Sequence, residues 1–244
     1  MHILKKNIAI ILASGEGKRL NTKEPKQYID LYDDLLINHT IKHFLNHKKI
    51  DLVAVVVNKK HRRYLSKIIK NRNLVLVWGG LTRQKSVYFS LKQLKKYKAI
   101  NVLIHDANRP FIKTKLISEI LKKLKKFKVV IPRIKIQDTI KEIENNKITP
   151  LNRDRIFALQ TPQGFRFNDL LNKHIESRNK LFTDDSSLFD DKSKVIKYIN
   201  GSNQNIKITD KNDLDLVEKI YYSKNKTNLL GLGIDFHKFS NKRG

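Results

Sequence analysis

The chain has 244 residues, no cysteine, and 51 Lys and Arg against 23 Asp and Glu, a net charge of +28. The length suffices for one large domain or two small ones, burying on the order of 70–75% of the unfolded surface. The missing cysteines exclude a disulfide framework and thiolate chemistry, and no apolar run approaches a membrane span. The N-terminal MHILKK puts lysines before an apolar run, but that run is only Ile8–Leu12, shorter than a secretion signal requires, so the cytoplasm is the default expectation. The charge invites a nucleic-acid reading, with tight, salt-dependent binding as its signature. The cations are spread along the whole chain without interleaved stacking aromatics, however, and are read as background that attracts anionic ligands.

Ile8–Leu12 reads as a buried strand, followed by Ala13, Ser14, Gly15, Glu16 and Gly17. Glycines let backbone amides approach a ligand closely, and successive N–H groups form an anion-binding concavity. Lys18, Arg19 and, beyond Pro25, Lys26 bring cations to it, which suits a polyphosphate. Two common phosphate loops are excluded: position 20 is Leu rather than the third glycine of a dinucleotide fingerprint, and Arg19 stands where a P-loop needs Ser or Thr. A surface turn with solvated lysines is the plain alternative.

Strand-like and helix-like segments then alternate: helix 38–46, strand 52–57, helix 61–71, strand 74–78, helix 86–97, strand 102–105 and an amphipathic helix carrying Leu116, Ile117, Ile120, Leu121 and Leu124. Continuously apolar strands between helices predict an α/β fold, a mostly parallel sheet with helices on both faces, which binds ligands at the strands' carboxyl ends. Gly79-Gly80 ends one strand, and the run Leu81–Val87 leads into a helix near Ser86, exposing backbone suited to a base or phosphate. Asp106 leaves another strand near the phosphate loop, placed to hold Mg²⁺; a helix cap is the alternative. Asp138–Ile143 and Ile148–Leu151 around Asn145-Asn146 predict a hairpin, which needs another surface to pack on. His39, His43 and His47 share one helix face, as in zinc-binding helices, but without a cysteine or carboxylate they read as an exposed polar stripe.

Together these stretches resemble the 2-C-methyl-D-erythritol 4-phosphate cytidylyltransferase family. The resemblance rests on ASGEGKRL with PKQY, GGLTRQKSV, HDANRP, DTIK, LNR, QTPQGF, TDDS and GSNQNIKIT, in order over about residues 8–218. Leu12 and Ser14 stand where the family usually has Pro and Ala, Asn108 where it has Ala, and the segment from Pro132 to Asp138-Thr139 is stretched. The resemblance implies a Rossmann-like nucleotidyltransferase fold over residues 1–225. It also implies a protruding β-hairpin arm at about 135–155 that embraces the second subunit of a homodimer. It implies CTP bound through Ala13, Ser14, Gly15, Gly17, Gly79, Gly80, Arg83, Ser86, Asp106 and Ala107. Arg19, Lys26 and Lys207 would be catalytic, with Lys207 on a strand, and Asp106 would hold Mg²⁺ or another divalent cation. Arg109, Thr139, Arg153 and Thr183 would bind the polyol phosphate, some from the partner subunit. Ribitol 5-phosphate cytidylyltransferase shares most of this motif set.

Residues 226–244 include LGLGIDFHKF, which resembles the first strand of 2-C-methyl-D-erythritol 2,4-cyclodiphosphate synthase, a partner domain fused to the cytidylyltransferase in some bacteria. Asp and His there ligate zinc, but Asp235 and His237 alone cannot complete a zinc site, so this truncated start of a second domain is expected to bind no zinc tightly.

Overall fold

A computed structural model describes residues 6–17, 22, 24–145, 147–177, 182, 184–189 and 194–225. Arg19, Thr183 and the segment 226–244 with Asp235 and His237 lie outside the described residues.

The first half builds the parallel part of the sheet. Strand β1 (Lys6–Leu12) is followed by a small antiparallel pair, β2 (Asp30–Leu31) and β3 (Asp34–Leu35), and by helix α1 (Leu36–Leu45). Strand β4 (Leu52–Val57) lies parallel to β1, and β5 (Leu74–Trp78) lies parallel to β4 at the sheet edge. Helix α2 (Arg83–Leu94) then returns the chain to β6 (Ala99–Asp106), parallel to β1 on its other side. The chain thus builds outward from β1 in one direction and resumes in the other. The carboxyl end of β1 is therefore a topological switch point, where such sheets open a crevice.

Continuous apolar runs at β1 and β4 follow from burial on both faces. Ile8, Ile10, Ala54 and Val56 pack with Val87 and Leu91 of α2, whereas Ala9, Ile11, Val53 and Val55 pack with Ile37, Ile41 and Phe44 of α1. The second cluster also takes Ile117 and Ile120 of helix α3 (Thr114–Lys123).

Beyond α3 the sheet becomes mixed. Strands β7 (Val129–Lys135), β10 (Phe157–Leu159) and β11 (Gln163–Arg166) extend it, with β11 antiparallel between β6 and β7. Helix α4 (Phe167–Glu176) and strand β12 (Ile196–Asn200), parallel to β7, follow. Helix α5 (Lys211–Asn225) closes the described chain, packing Val217 with Leu31, Leu36 and Ile208. Strands β8 (Ile140–Glu144) and β9 (Lys147–Leu151) pair only with each other, in the expected hairpin. Among the described residues no helix is long and apolar enough to cross a membrane.

Three expectations need correction. The stretch expected to be helical over 61–71 is a 3-10 segment, Lys59–Lys67, with His61 itself non-helical, capped by the Asn58 side chain accepting from Lys60 N at 3.0 Å. Helix α2 begins at Arg83, three residues before Ser86, because the Thr82 hydroxyl accepts from Lys85 N at 3.1 Å. The histidines are not an exposed stripe. His39 is buried, bonded through Nε2 to Leu31 O (2.7 Å) and through Nδ1 to the Tyr221 hydroxyl (3.1 Å), and His47 is buried against Ser118 Oγ (2.9 Å). Helices α5 and α3 cover the face that periodicity alone left open. Among the described residues no three His, Asp or Glu side chains converge as metal ligands.

Candidate active site

At the switch point, Leu12, Ser14, Gly15, Lys26, Gly80, Leu81, Thr82, Arg83, Ser86, Asp106, Asn108 and Lys207 line a cleft of about 220 Å³. Its floor is the loop after β1. The Gln27 side-chain amide donates to Ala13 O (2.7 Å) and Gly15 O (2.8 Å), and Asn58 Nδ2 donates to Ser14 O (3.1 Å). Because each trans peptide sets its N–H opposite its C=O, the amides of Ser14 and Gly15 face away from Gln27 and Asn58. Two further expected CTP contacts are committed inside the protein. Ala13 N donates to Val56 O (2.9 Å) and Ala107 N to Leu12 O (3.2 Å), and both residues are buried.

Two glycines are dictated by crowding. Gly17 has φ +69°, and a Cβ there would lie 2.9 Å from Lys26 N, so only glycine lets the loop fold back over the PKQ turn. A Cβ on Gly79 would lie 2.7 Å from Ser14 Cβ. That close approach lets Ser14 Oγ and Ser86 Oγ meet at 3.0 Å, and Ser86 Oγ also accepts from Gly80 N at 3.0 Å. The glycine turn and the β1 loop are thereby stitched together.

Asp106 is the one carboxylate among the lining residues. Its Oδ2 lies 2.9 Å from Lys207 Nζ and 3.5 Å from Arg109 Nε. Burial pushes its carboxyl up, but the Lys207, Arg83 and Arg109 charges outweigh this and hold it at about 2, so it is ionised at neutral pH. Helix α3 starts only at Thr114, so Asp106 is no helix cap. A single ionised carboxylate fits Mg²⁺, which is usually held by one or two carboxylates together with substrate phosphates rather than by a closed protein cage.

Lys207 stands on an irregular segment, not on the expected strand. Ile208 N donates to Asn108 O at 2.9 Å, Asn108 Nδ2 donates back to Ile208 O, and Asn205 Nδ2 donates to Thr161 O at 2.7 Å. Side-chain bonds to neighbouring loops replace the ladder a strand would have used. Asn108, the departure from the family pattern, is thus one of the clamps. Lys26 reaches the same segment, donating from Nζ to Ile208 O at 3.1 Å.

The remaining expected residues are placed unequally. Arg109 lies behind Asp106, largely buried, with Nη1 donating to Asn205 O at 2.7 Å; burial lowers its pKa against the pull of Asp106. Thr139 and Arg153 do not line the cleft. Both are exposed at the base of the hairpin, where Arg153 Nη1 donates to Gln137 O at 2.7 Å. Asp185, which sequence reasoning did not single out, is buried beside the cleft. Burial raises its pKa, and Arg83 and His174 pull it lower overall. The clamps Gln27, Asn58 and Asn205 were missed as well. Gln27 inside PKQY and Asn205 inside GSNQNIKIT stand within the quoted motifs, whereas nothing in the sequence pointed to Asn58.

A switch-point crevice with a small-residue loop, a glycine turn, converging cations and one ionised carboxylate defines a Rossmann-like nucleotidyltransferase. The family model for 2-C-methyl-D-erythritol 4-phosphate cytidylyltransferase (IspD) matches residues 7–223, and the chain belongs to that family. A cytidylyltransferase of that name from Fusobacterium nucleatum is 39% identical over 88% of this chain and 97% of its own. The "Bifunctional enzyme IspD/IspF" of Wolbachia pipientis is 37% identical over 95% of this chain, which spans 59% of that relative's length. The crystal structure of the Anaerococcus prevotii 4-diphosphocytidyl-2C-methyl-D-erythritol synthase superposes with a TM-score of 0.78 at 29% identity, covering 89% of this chain and 96% of that one.

Proposed function

We propose that the chain transfers CMP from CTP to 2-C-methyl-D-erythritol 4-phosphate, releasing pyrophosphate, as a cytoplasmic homodimer. The observation that carries this reading is the convergence of Lys26, Lys207 and Arg83 with the ionised Asp106 on one cleft floored by the β1 loop. A phosphate oxygen of the acceptor attacks the α-phosphorus of CTP in line, the bond to the β-phosphate bridging oxygen breaks, and that oxygen leaves on pyrophosphate. No covalent enzyme intermediate is needed, so catalysis lies in positioning and charge neutralisation.

The Ser14, Gly15 and Gly17 backbone cradles the phosphates, and Gly79, Gly80 and Ser86 meet the cytosine side. Lys26, with Arg19, stabilises charge building on the α-phosphate and the leaving group. Lys207 orients the phosphates while pairing with Asp106. Asp106 would hold Mg²⁺, which when bound neutralises phosphate charge. Arg153 and Thr139 would reach the acceptor phosphate from the arm of the second subunit, with Thr183 nearby. Arg109 supports that pocket from behind by fixing Asp106 and the Asn205 loop. The arm needs such a partner: Ile143 and Ile148 face each other across the hairpin and are 73% and 59% exposed.

The test is turnover of purified protein with CTP and either 2-C-methyl-D-erythritol 4-phosphate or ribitol 5-phosphate, products identified by phosphorus NMR. Preference for the methylerythritol substrate supports the reading. Preference for ribitol 5-phosphate, or no CDP-alcohol from either, overturns it.

A further inference from the structure

Arg83 spans two environments. It lines the cleft, and its side chain is 32% exposed, yet Nη1 donates to Asp185 Oδ2 at 2.6 Å, a carboxylate only 1% exposed. The other carboxylate oxygen, Asp185 Oδ1, lies 3.1 Å from Nε2 of the equally buried His174 on α4. The loop carrying Asp185 is itself fixed. The neighbouring Asp184 carboxylate accepts from Ser187 N (2.9 Å), Ser186 Oγ (2.9 Å) and Gln163 Nε2 (3.3 Å). Arg83 therefore starts α2 at the wall of the cleft, with its guanidinium gripped by a buried acceptor brought from 102 residues away.

An exposed arginine samples many rotamers, and a buried carboxylate meeting its planar fork restricts it before any ligand arrives. The grip acts beyond the pair. Burial lowers the Arg83 pKa, but the charges led by Asp185 outweigh it and raise the pKa overall, and the Arg83 charge helps hold Asp106 ionised. We infer that Asp185, oriented by His174, is a positioning residue that presets the Arg83 guanidinium for the incoming nucleotide. This rests on the reading of the cleft as the CTP site.

The test measures CTP binding by calorimetry and steady-state kinetics for Asp185→Asn, Arg83→Ala and the double variant, with thermal unfolding recorded for each. Removing a charged acceptor from Arg83 is expected to raise Kd and KM for CTP about tenfold. For Asp185→Asn, the kcat at saturating CTP and the KM for the polyol phosphate should stay near wild type. The double variant should bind CTP no more weakly than Arg83→Ala alone, because the two residues act as one unit. His174→Gln, which keeps an N–H for Asp185, should retain most of the affinity that His174→Phe loses, and this pair decides the matter should Asp185→Asn not fold. Folded Asp185→Asn with wild-type CTP affinity, multiplied effects in the double variant, or wild-type affinity in His174→Phe overturns the positioning role alone. A wild-type chain that binds no CTP overturns the cleft assignment with it.

Discussion

The cleft and the hairpin arm are built by opposite means. At the cleft, three backbone carbonyls of the β1 loop are taken up by Gln27 and Asn58, Asp106 is enclosed by cations, and the Lys207 segment is clamped to Asn108 and Thr161. On the arm, β8 and β9 bond only to each other, almost every residue is exposed, and two isoleucines face solvent. Two strands alone do not make a stable unit in water. On the proposed reading, the contrast teaches that the described part of the nucleotide half is held within one chain. The acceptor half, to which Thr139 and Arg153 belong by resemblance, would on that reading be finished by a second subunit.

The sharpest way to break that contrast is at Lys26. Lys26→Ala should keep the fold and lower kcat by about 10²–10³, the usual loss for one preorganised contact to a developing anion. Pyrophosphate release close to wild type would remove Lys26 from the mechanism.

Acid should strike the cleft end of β6 next. His105 is fully buried, and burial pulls its pKa from 6.5 down to about 4. Between those values the unfolded chain binds a proton that the folded chain refuses. Stability is therefore full above pH about 6.5 and falls toward pH 4, by on the order of 3 kcal/mol. Asp106, at about 2 against 3.8, extends the loss to lower pH. Urea unfolding at pH 7, 5.5 and 4 measures this, and a flat profile would contradict it.

At the arm, Arg153→Lys should raise the KM for the polyol phosphate about tenfold and leave that for CTP unchanged, since lysine lacks the bidentate fork. Equal effects on both substrates would place Arg153 in the nucleotide half. The smallest effect on the chain itself is expected from Ile143→Asp with Ile148→Asp. These substitutions should shift the protein from dimer to monomer by light scattering, with CTP affinity retained. A dimer that persists would show that the arm's apolar face is not its interface.

How far the sequence was legible follows from the same contrast. The β1 loop, the glycine turn and Asp106 were readable because their chemistry is packed into a few consecutive residues at strand ends. The hairpin was readable from its turn, and Asn145 adopts φ 48° there. The buried grip on Arg83 was not, because Asp185 lies 102 residues from its partner, and the clamp of Asn58 on Ser14 spans 44. The histidine stripe shows the same limit: its helical spacing is real, but α5 and α3 decide that His39 and His47 are buried. Helix α2 was read as starting three residues late because the Thr82 cap is a local bond that hydrophobic periodicity does not register.

The central claim is that each active site joins the cleft of one chain to the arm of another. Mixing two variants tests it directly: Lys26→Ala, defective in the cleft, and Arg153→Ala, defective in the arm, each assayed alone and after exchange of subunits at equal concentration. In an isologous dimer each mixed pair holds one site with both residues intact, so activity should recover to about a quarter of wild type. Mixtures no more active than the separate variants, under conditions where mass spectrometry shows that mixed dimers have formed, would contradict the claim and place Arg153 in its own chain's site.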